Sequence, residues 1–142
     1  MTIAAGSDHA GFEHKELLKK WLEHKGHTVV DFGTSSPESA DYPDYAHPVA
    51  DAVENHQADF GLLICGSANG MAMTANKHQG IRAALCWNEE VAALARQHNN
   101  ANIVCIPARF TTSAQAEGIL EKFLSSSFEG GRHERRVGKI SC

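Results

Sequence analysis

DFGLLICGSANGMAM, residues Asp59 to Met73, sets an unbroken apolar run against a glycine-rich loop and then a stretch of helical character. The run from Phe60 to Cys65 has no polar alternation, so a strand built from it must bury both faces. A strand covered on both sides belongs to a sheet between two helical layers, and its exit through Gly66 and Gly70 into GMAMTANK marks a strand-loop-helix unit. At the turn stands Cys65, which reads equally as a small apolar filler at a strand end or as a thiol presented to a ligand.

Four more runs share this pattern: Thr2–Gly6, His27–Gly33, Ile81–Trp87 and Asn102–Pro107, each short, apolar and closed by glycine, proline or polar residues. Helical stretches separate them. GFEHKELLKKWLEHK places Leu17, Leu18, Trp21 and Leu22 on one face, with lysine and glutamate on the other and Gly26 as the stop. DYAHPVADAVENH, GMAMTANK, NEEVAALARQHNN and SAQAEGILEKFLSSS are the other helices, and Pro48 predicts a late start or a kink in the first of these. The alternation predicts an α/β fold, a three-layer α/β/α sandwich around a five-stranded parallel sheet.

With 142 residues, 42% of them hydrophobic, the chain is one domain over residues 1–142. A net charge of −4 gives no basis for binding nucleic acid or an anionic membrane, and no apolar stretch reaches the roughly 20 residues of a membrane span. The start MTIAAGSDHAGF lacks the pattern of a signal peptide, which predicts a cytoplasmic protein. Cys65, Cys86, Cys105 and Cys142 are far apart and form no CxxC, so they read as reduced thiols rather than disulfides or zinc ligands.

In a doubly wound sheet, ligands bind beyond the carboxyl ends of the strands. Ser7-Asp8-His9 follows the first run, Cys65-Gly66-Ser67-Ala68-Asn69-Gly70 the third and Pro107-Ala108-Arg109-Phe110 the fifth. Gln97-His98-Asn99-Asn100 ends a helix beside the start of the fifth run, so periodicity alone does not bring it to the site. The loop Gly66–Gly70 can turn several N–H groups toward one oxyanion, but it lacks the Gly-Lys-Ser/Thr ending of a P-loop. GSDHAG is not GxGxxG, although Asp31 sits near where a ribose-binding acid would. A helix N-terminus beside Cys65 predicts a thiol pKa lowered from about 8.5.

Taken together, SDHAGFEHK, DYPDYA, ICGSANGMAMTANKHQGIRAA, RQHNNANI and FEGGRHERRV resemble the ribose, allose and galactose phosphate isomerases, and within them the type B ribose-5-phosphate isomerases. The resemblance runs from the first strand to the arginine-bearing tail, residues 128–142. It implies a Rossmann-like fold and homodimers, with tetramers an option, whose sites lie at the interface. The implied chemistry is a proton transfer between C2 and C1 of an aldose phosphate through an enediolate, without metal or nucleotide cofactor.

By the same resemblance Cys65 is the base, and the backbone N–H groups across Gly66, Ser67, Ala68, Asn69 and Gly70, with the Ser67 hydroxyl, stabilise the enediolate oxygens. Some members carry serine at the Cys65 position and a glutamate just past the loop as base; Met71 occupies that place here. Ala68 stands where many members have glycine, and a positive φ there would strain the loop. His98 is the implied ring-opening acid, with Asp8 on the anomeric hydroxyl; Tyr42 and Asn99 contact sugar hydroxyls. Arg109, His9, Arg132 and Arg136 hold the phosphate, the last two reaching the neighbouring subunit's site. Of the 9 histidines, His24, His56 and His78 read as ordinary surface residues.

Two other classes compete with an isomerase: a flavodoxin-like nucleotide-binding module, and a hydrolase pairing Cys65 with His98. The missing nucleotide fingerprint counts against the first, and the phosphate-directed arginines against the second. Allose 6-phosphate or another hexose phosphate is the alternative to ribose 5-phosphate as substrate.

Overall fold

A computed structural model describes residues 1–142. In chain order it contains β1 (Thr2–Ser7), α1 (Phe12–His24), β2 (Thr28–Asp31), α2 (Pro43–Glu54), β3 (Phe60–Cys65), α3 (Asn69–Ala75), β4 (Ala83–Leu85), α4 (Glu89–Asn99), β5 (Ile103–Pro107), α5 (Ser113–Ser125) and α6 (Arg132–Val137). A single 3₁₀ turn at Ala108–Phe110 follows β5. The five strands form one parallel sheet in the order β2-β1-β3-β5-β4.

The helices divide between the two faces as the apolar strands require. Leu18 and Leu22 of α1, Ala92 and Ala95 of α4, and Ile119, Leu120 and Phe123 of α5 pack on Ile3, Ala5, Leu62, Ile64, Val104 and Ile106. Val49, Ala50 and Val53 of α2, with Met71 and Ala75 of α3, cover Ala4, Leu63, Cys65, Ile103 and Cys105 on the opposite face. Truncating a fully buried side chain such as Phe123 to alanine costs about 3–5 kcal/mol. β2, at the sheet edge, is largely exposed, unlike the doubly buried strand expected of HTVVDFG. At the other edge the Asn76 amide closes β4, accepting from Ala83 N–H at 2.8 Å and donating to Ala83 O at 2.9 Å.

Two local expectations need correction. α2 begins at Pro43 and continues through Pro48. Proline is favoured in the first turn, and burial of Ala46, Val49, Ala50 and Val53 outweighs the one backbone hydrogen bond that Pro48 cannot donate. Lys15 is not on the solvent face of α1: it lies on the stripe of Leu18 and Leu22 and is 0% exposed, whereas Leu17 is exposed. Its ammonium reaches Asp31 at 2.7 Å and Glu16 at 3.1 Å, and Lys19 adds a second contact to Asp31 at 2.7 Å. Asp31 also accepts the Gly33 N–H at 2.9 Å, so it is a structural anchor rather than a ribose ligand. In the tail, Gly130 and Gly131 take positive φ, the chain turns, and α6 follows.

Candidate active site

β1 and β3 are neighbours, but β1 leads to α1 on one face and β3 to α3 on the other, so a crevice opens between their carboxyl ends. Ser7 pairs with Ile64 across the ladder, which brings Asp8 opposite Cys65. The first loop packs tightly there: a Cβ on Gly11 would come within 2.5 Å of the Ile64 carbonyl oxygen, and Gly11 N–H donates to Asp8 Oδ1 at 3.1 Å. Asp8 is thereby buried and fixed at the floor of the crevice.

Cys65 ends β3 and is 5% exposed. Burial pushes its thiol above the ordinary value, and the neighbouring Asp8 carboxylate adds to this, while the N–H groups of Met71, Ala68 and Ser67 favour the thiolate. Desolvation wins. The lowered pKa expected from the helix N-terminus is therefore not found in the single chain, where the resting group is a protonated thiol. Cys86 and Cys105 are buried in the two apolar layers, and burial takes Cys86 up to about 12. They are packing residues.

The loop after Cys65 has a defined shape. Ala68 adopts φ 64° and ψ −3°, the left-handed conformation that favours glycine, and this turn carries the following N–H groups back toward the sulfur. Ser67 Oγ accepts from Asn69 N–H at 3.4 Å and from Asn69 Nδ2 at 3.2 Å. Arg109 lies over Gly66, where a Cβ would come 3.0 Å from its Nε, and Arg109 N–H donates to Gly66 O at 3.0 Å. Tyr42 lies over Gly70, where a Cβ would meet the ring at 2.6 Å. Both glycines thus leave room for a side chain that rims the crevice. His9 Nδ1 accepts the Ala40 N–H at 3.1 Å, so a neutral His9 carries its proton on Nε2, ready to donate.

The remaining expected residues are elsewhere. His98 and Asn99 end α4, and the chain just beyond them meets the start of β3 through Gly61 N–H to Asn102 O at 3.0 Å. The four steps along β3 from Gly61 to Cys65 span about 13 Å, so His98 and Asn99 stand at the opposite end of the sheet from the thiol. Arg132 and Arg136 on α6 are beside them: Glu129 N–H donates to Gln97 O at 3.0 Å, and the His98 and His133 rings stack with centroids 4.2 Å apart. Glu129 Oε1 is 3.6 Å from Nε2 of both histidines. Glu129 and His133 escaped the sequence reading, although their i, i+4 spacing beside the double glycine was a signal. One chain therefore carries two sets of residues: Asp8, His9, Tyr42, Cys65–Gly70 and Arg109 at one end, and His98, Asn99, Arg132 and Arg136 at the other.

The family model described as Ribose/Galactose Isomerase matches residues 3–140. A curated relative from Mycoplasma genitalium, a probable ribose-5-phosphate isomerase B, is 46% identical over 140 residues, which covers 97% of this chain and 92% of that protein. The crystal structure of a ribose 5-phosphate isomerase from Thermotoga maritima superposes with a TM-score of 0.97 at 52% identity, covering 99% of this chain and 97% of that one. The Mycoplasma genitalium ribose-5-phosphate isomerase B with bound ribulose-5-phosphate superposes with a TM-score of 0.94 at 46% identity, covering 98% and 93%. With the crevice between β1 and β3 and a full-length match of this kind, the chain belongs to the ribose/galactose isomerase family.

Proposed function

We propose that this chain is an aldose-ketose isomerase that interconverts ribose 5-phosphate and ribulose 5-phosphate through an enediolate, with Cys65 as the base. The observation that carries this reading is Cys65 at the carboxyl end of β3, opposite Asp8 and under the N–H groups of Ser67, Ala68 and Met71. A relative of 46% identity holds ribulose-5-phosphate, which supports the choice of substrate.

The sugar enters as a ring. His98 gives a proton to the ring oxygen while Asp8 takes the proton of the anomeric hydroxyl, and the aldehyde is released. The Cys65 thiolate then removes the C2 proton. The electrons of the broken C–H bond form the C1–C2 double bond, and the C1 carbonyl oxygen becomes the oxyanion that the loop N–H groups and the Ser67 hydroxyl stabilise. Return of the proton from Cys65 to C1, with the O2 proton passing to O1, yields the ketose. Proton transfers alone complete the reaction, so the reading invokes no metal or nucleotide. Arg109, His9, Arg132 and Arg136 hold the phosphate, and Tyr42 and Asn99 the sugar hydroxyls.

Because the two residue sets stand at opposite ends of one subunit, the complete site requires a homodimer in which His98, Asn99, Arg132 and Arg136 come from the partner, with a tetramer of such dimers as the larger option. Guanidinium groups brought to the crevice also favour the thiolate that burial disfavours. The cytoplasm, where thiols stay reduced, suits four free cysteines. No helix is long and apolar enough to cross a membrane.

The test is deuterium exchange at C2 in heavy water together with turnover of ribose 5-phosphate and allose 6-phosphate. Cys65→Ala should lose exchange by about 10²-fold or more. Near-wild-type exchange in that variant removes Cys65 from the role of base, and turnover confined to allose 6-phosphate moves the substrate to the hexose phosphates.

A further inference from the structure

His47, Asp51 and Glu54 are spaced i, i+4 and i+7 on α2 and so share one helix face, and the turn between α3 and β4 brings His78 against them. His78 Nδ1 lies 3.3 Å from Asp51 Oδ1 and 3.8 Å from Glu54 Oε1, and the three donor atoms all fall within 4.8 Å of one another. A tetrahedral ion with bonds of about 2.0–2.2 Å holds its ligands about 3.3–3.6 Å apart, so the set needs only small side-chain adjustments to close on one ion.

Two of the three donors are already oriented from behind. His78 Nε2 is 2.8 Å from His47 Nδ1, so the ring can donate its second N–H to His47 and leave Nδ1 free as a ligand. The second oxygen of Glu54 accepts the Gly80 N–H. Backbone hydrogen bonds from His78 N–H to Ala75 O and from Ile81 N–H to His78 O hold the turn itself. His78 is half-buried and Asp51 exposed, which leaves a coordination position open to water.

From this geometry we infer a divalent transition-metal site made by Asp51, Glu54 and His78, with His47 as the outer partner of His78 and Zn²⁺ as the ion that fits best. One imidazole with two carboxylates suits zinc better than magnesium, which prefers all-oxygen octahedral surroundings. The residues take no part in the isomerase reading, and the site stands or falls independently of it. Its effect is to pin α2 to the turn that follows α3, the helix that leads out of the Cys65 loop.

The full chain, stripped with chelator, is titrated with Zn²⁺ by calorimetry and by thermal unfolding. The expected result is one ion per chain and a Tm raised by about 10 °C at a hundredfold excess over Kd. His78→Gln should abolish binding, and so should Asp51→Asn, whose exposed position spares the fold. His47→Ala should weaken it by about 10-fold to 100-fold through loss of the outer partner. Co²⁺ should show weak visible bands without an intense thiolate charge-transfer band. Binding that survives both His78→Gln and Asp51→Asn overturns the assignment. So does binding lost in Cys142→Ser or His98→Asn, which would place the ion elsewhere, or the absence of binding at millimolar Zn²⁺.

Discussion

Cys65 closes β3 at one end of the sheet, and His98 ends α4 at the other, held there because Asn102 just beyond it bonds to Gly61 at the start of β3. No side-chain rotation joins the two in one subunit, so an isomerase that uses both must assemble them from two chains.

Complementation follows directly. Cys65→Ala and His98→Asn should each be inactive alone, and so should the pair Arg132→Ala/Arg136→Ala. Mixing Cys65→Ala chains with either of the others should restore about a quarter of wild-type activity after full subunit exchange, since half the dimers are mixed and each has one intact site. Activity that stays at the parental level after verified exchange would exclude a shared site.

Ala68 offers a stability test. Its φ of 64° strains an L-residue by about 1–2 kcal/mol. Ala68→Gly relieves that strain, but glycine's larger entropy loss offsets about 0.5–1 kcal/mol and the lost buried methyl a further 0.8 kcal/mol or so. Denaturant unfolding should therefore find Ala68→Gly within about 1 kcal/mol of wild type. Ala68→Val, branched at a left-handed and buried position, should cost about 3 kcal/mol or more and reduce turnover by misdirecting the N–H groups around Cys65. A valine variant of wild-type stability would contradict the loop geometry.

The Cys65 thiol is raised first by burial and then by the Asp8 carboxylate. Asp8→Asn removes a negative charge, so the thiolate should form at lower pH than in wild type. Alkylation of Cys65 by iodoacetamide, followed by mass spectrometry across pH with exposed Cys142 as internal reference, should show the variant's labelling curve displaced toward acid. An unchanged or alkaline-shifted curve would mean that Asp8 does not act on the thiol.

Asp31 offers a test of acid stability. Burial pushes its carboxyl up, but Lys15, Lys19 and the Gly33 N–H outweigh this and hold it below the usual range. A depressed folded pKa contributes stability that is complete above about pH 4, where the unfolded carboxyl is ionised, and that is lost as pH falls through the lower folded value. Asp31→Asn leaves the fully buried Lys15 without its main partner and should cost about 3 kcal/mol near neutral pH. The gap between the two proteins should narrow below about pH 4, and a gap that stays constant down to pH 2 would rule out the ion pair as its source.

The sequence alone was enough to locate all five strands, to divide the helices between them and to mark Cys65–Gly70 as a loop beyond a strand's carboxyl end. Those features rest on local periodicity and on glycine and proline, whose effects act within a few residues. Two errors were local conflicts settled by packing: Pro48 sits inside α2 because the buried alanines and valines hold the helix, and Lys15 is buried because its stripe faces the core and Asp31 is there to receive it. What no local pattern could show is distance through space. The raised Cys65 thiol depends on how deeply β3 is covered and on Asp8 arriving from another strand, and the separation of His98 from Cys65 depends on α4 running antiparallel to β3. Such facts arise only when the chain folds back on itself, because burial and charge act between residues that the sequence keeps far apart.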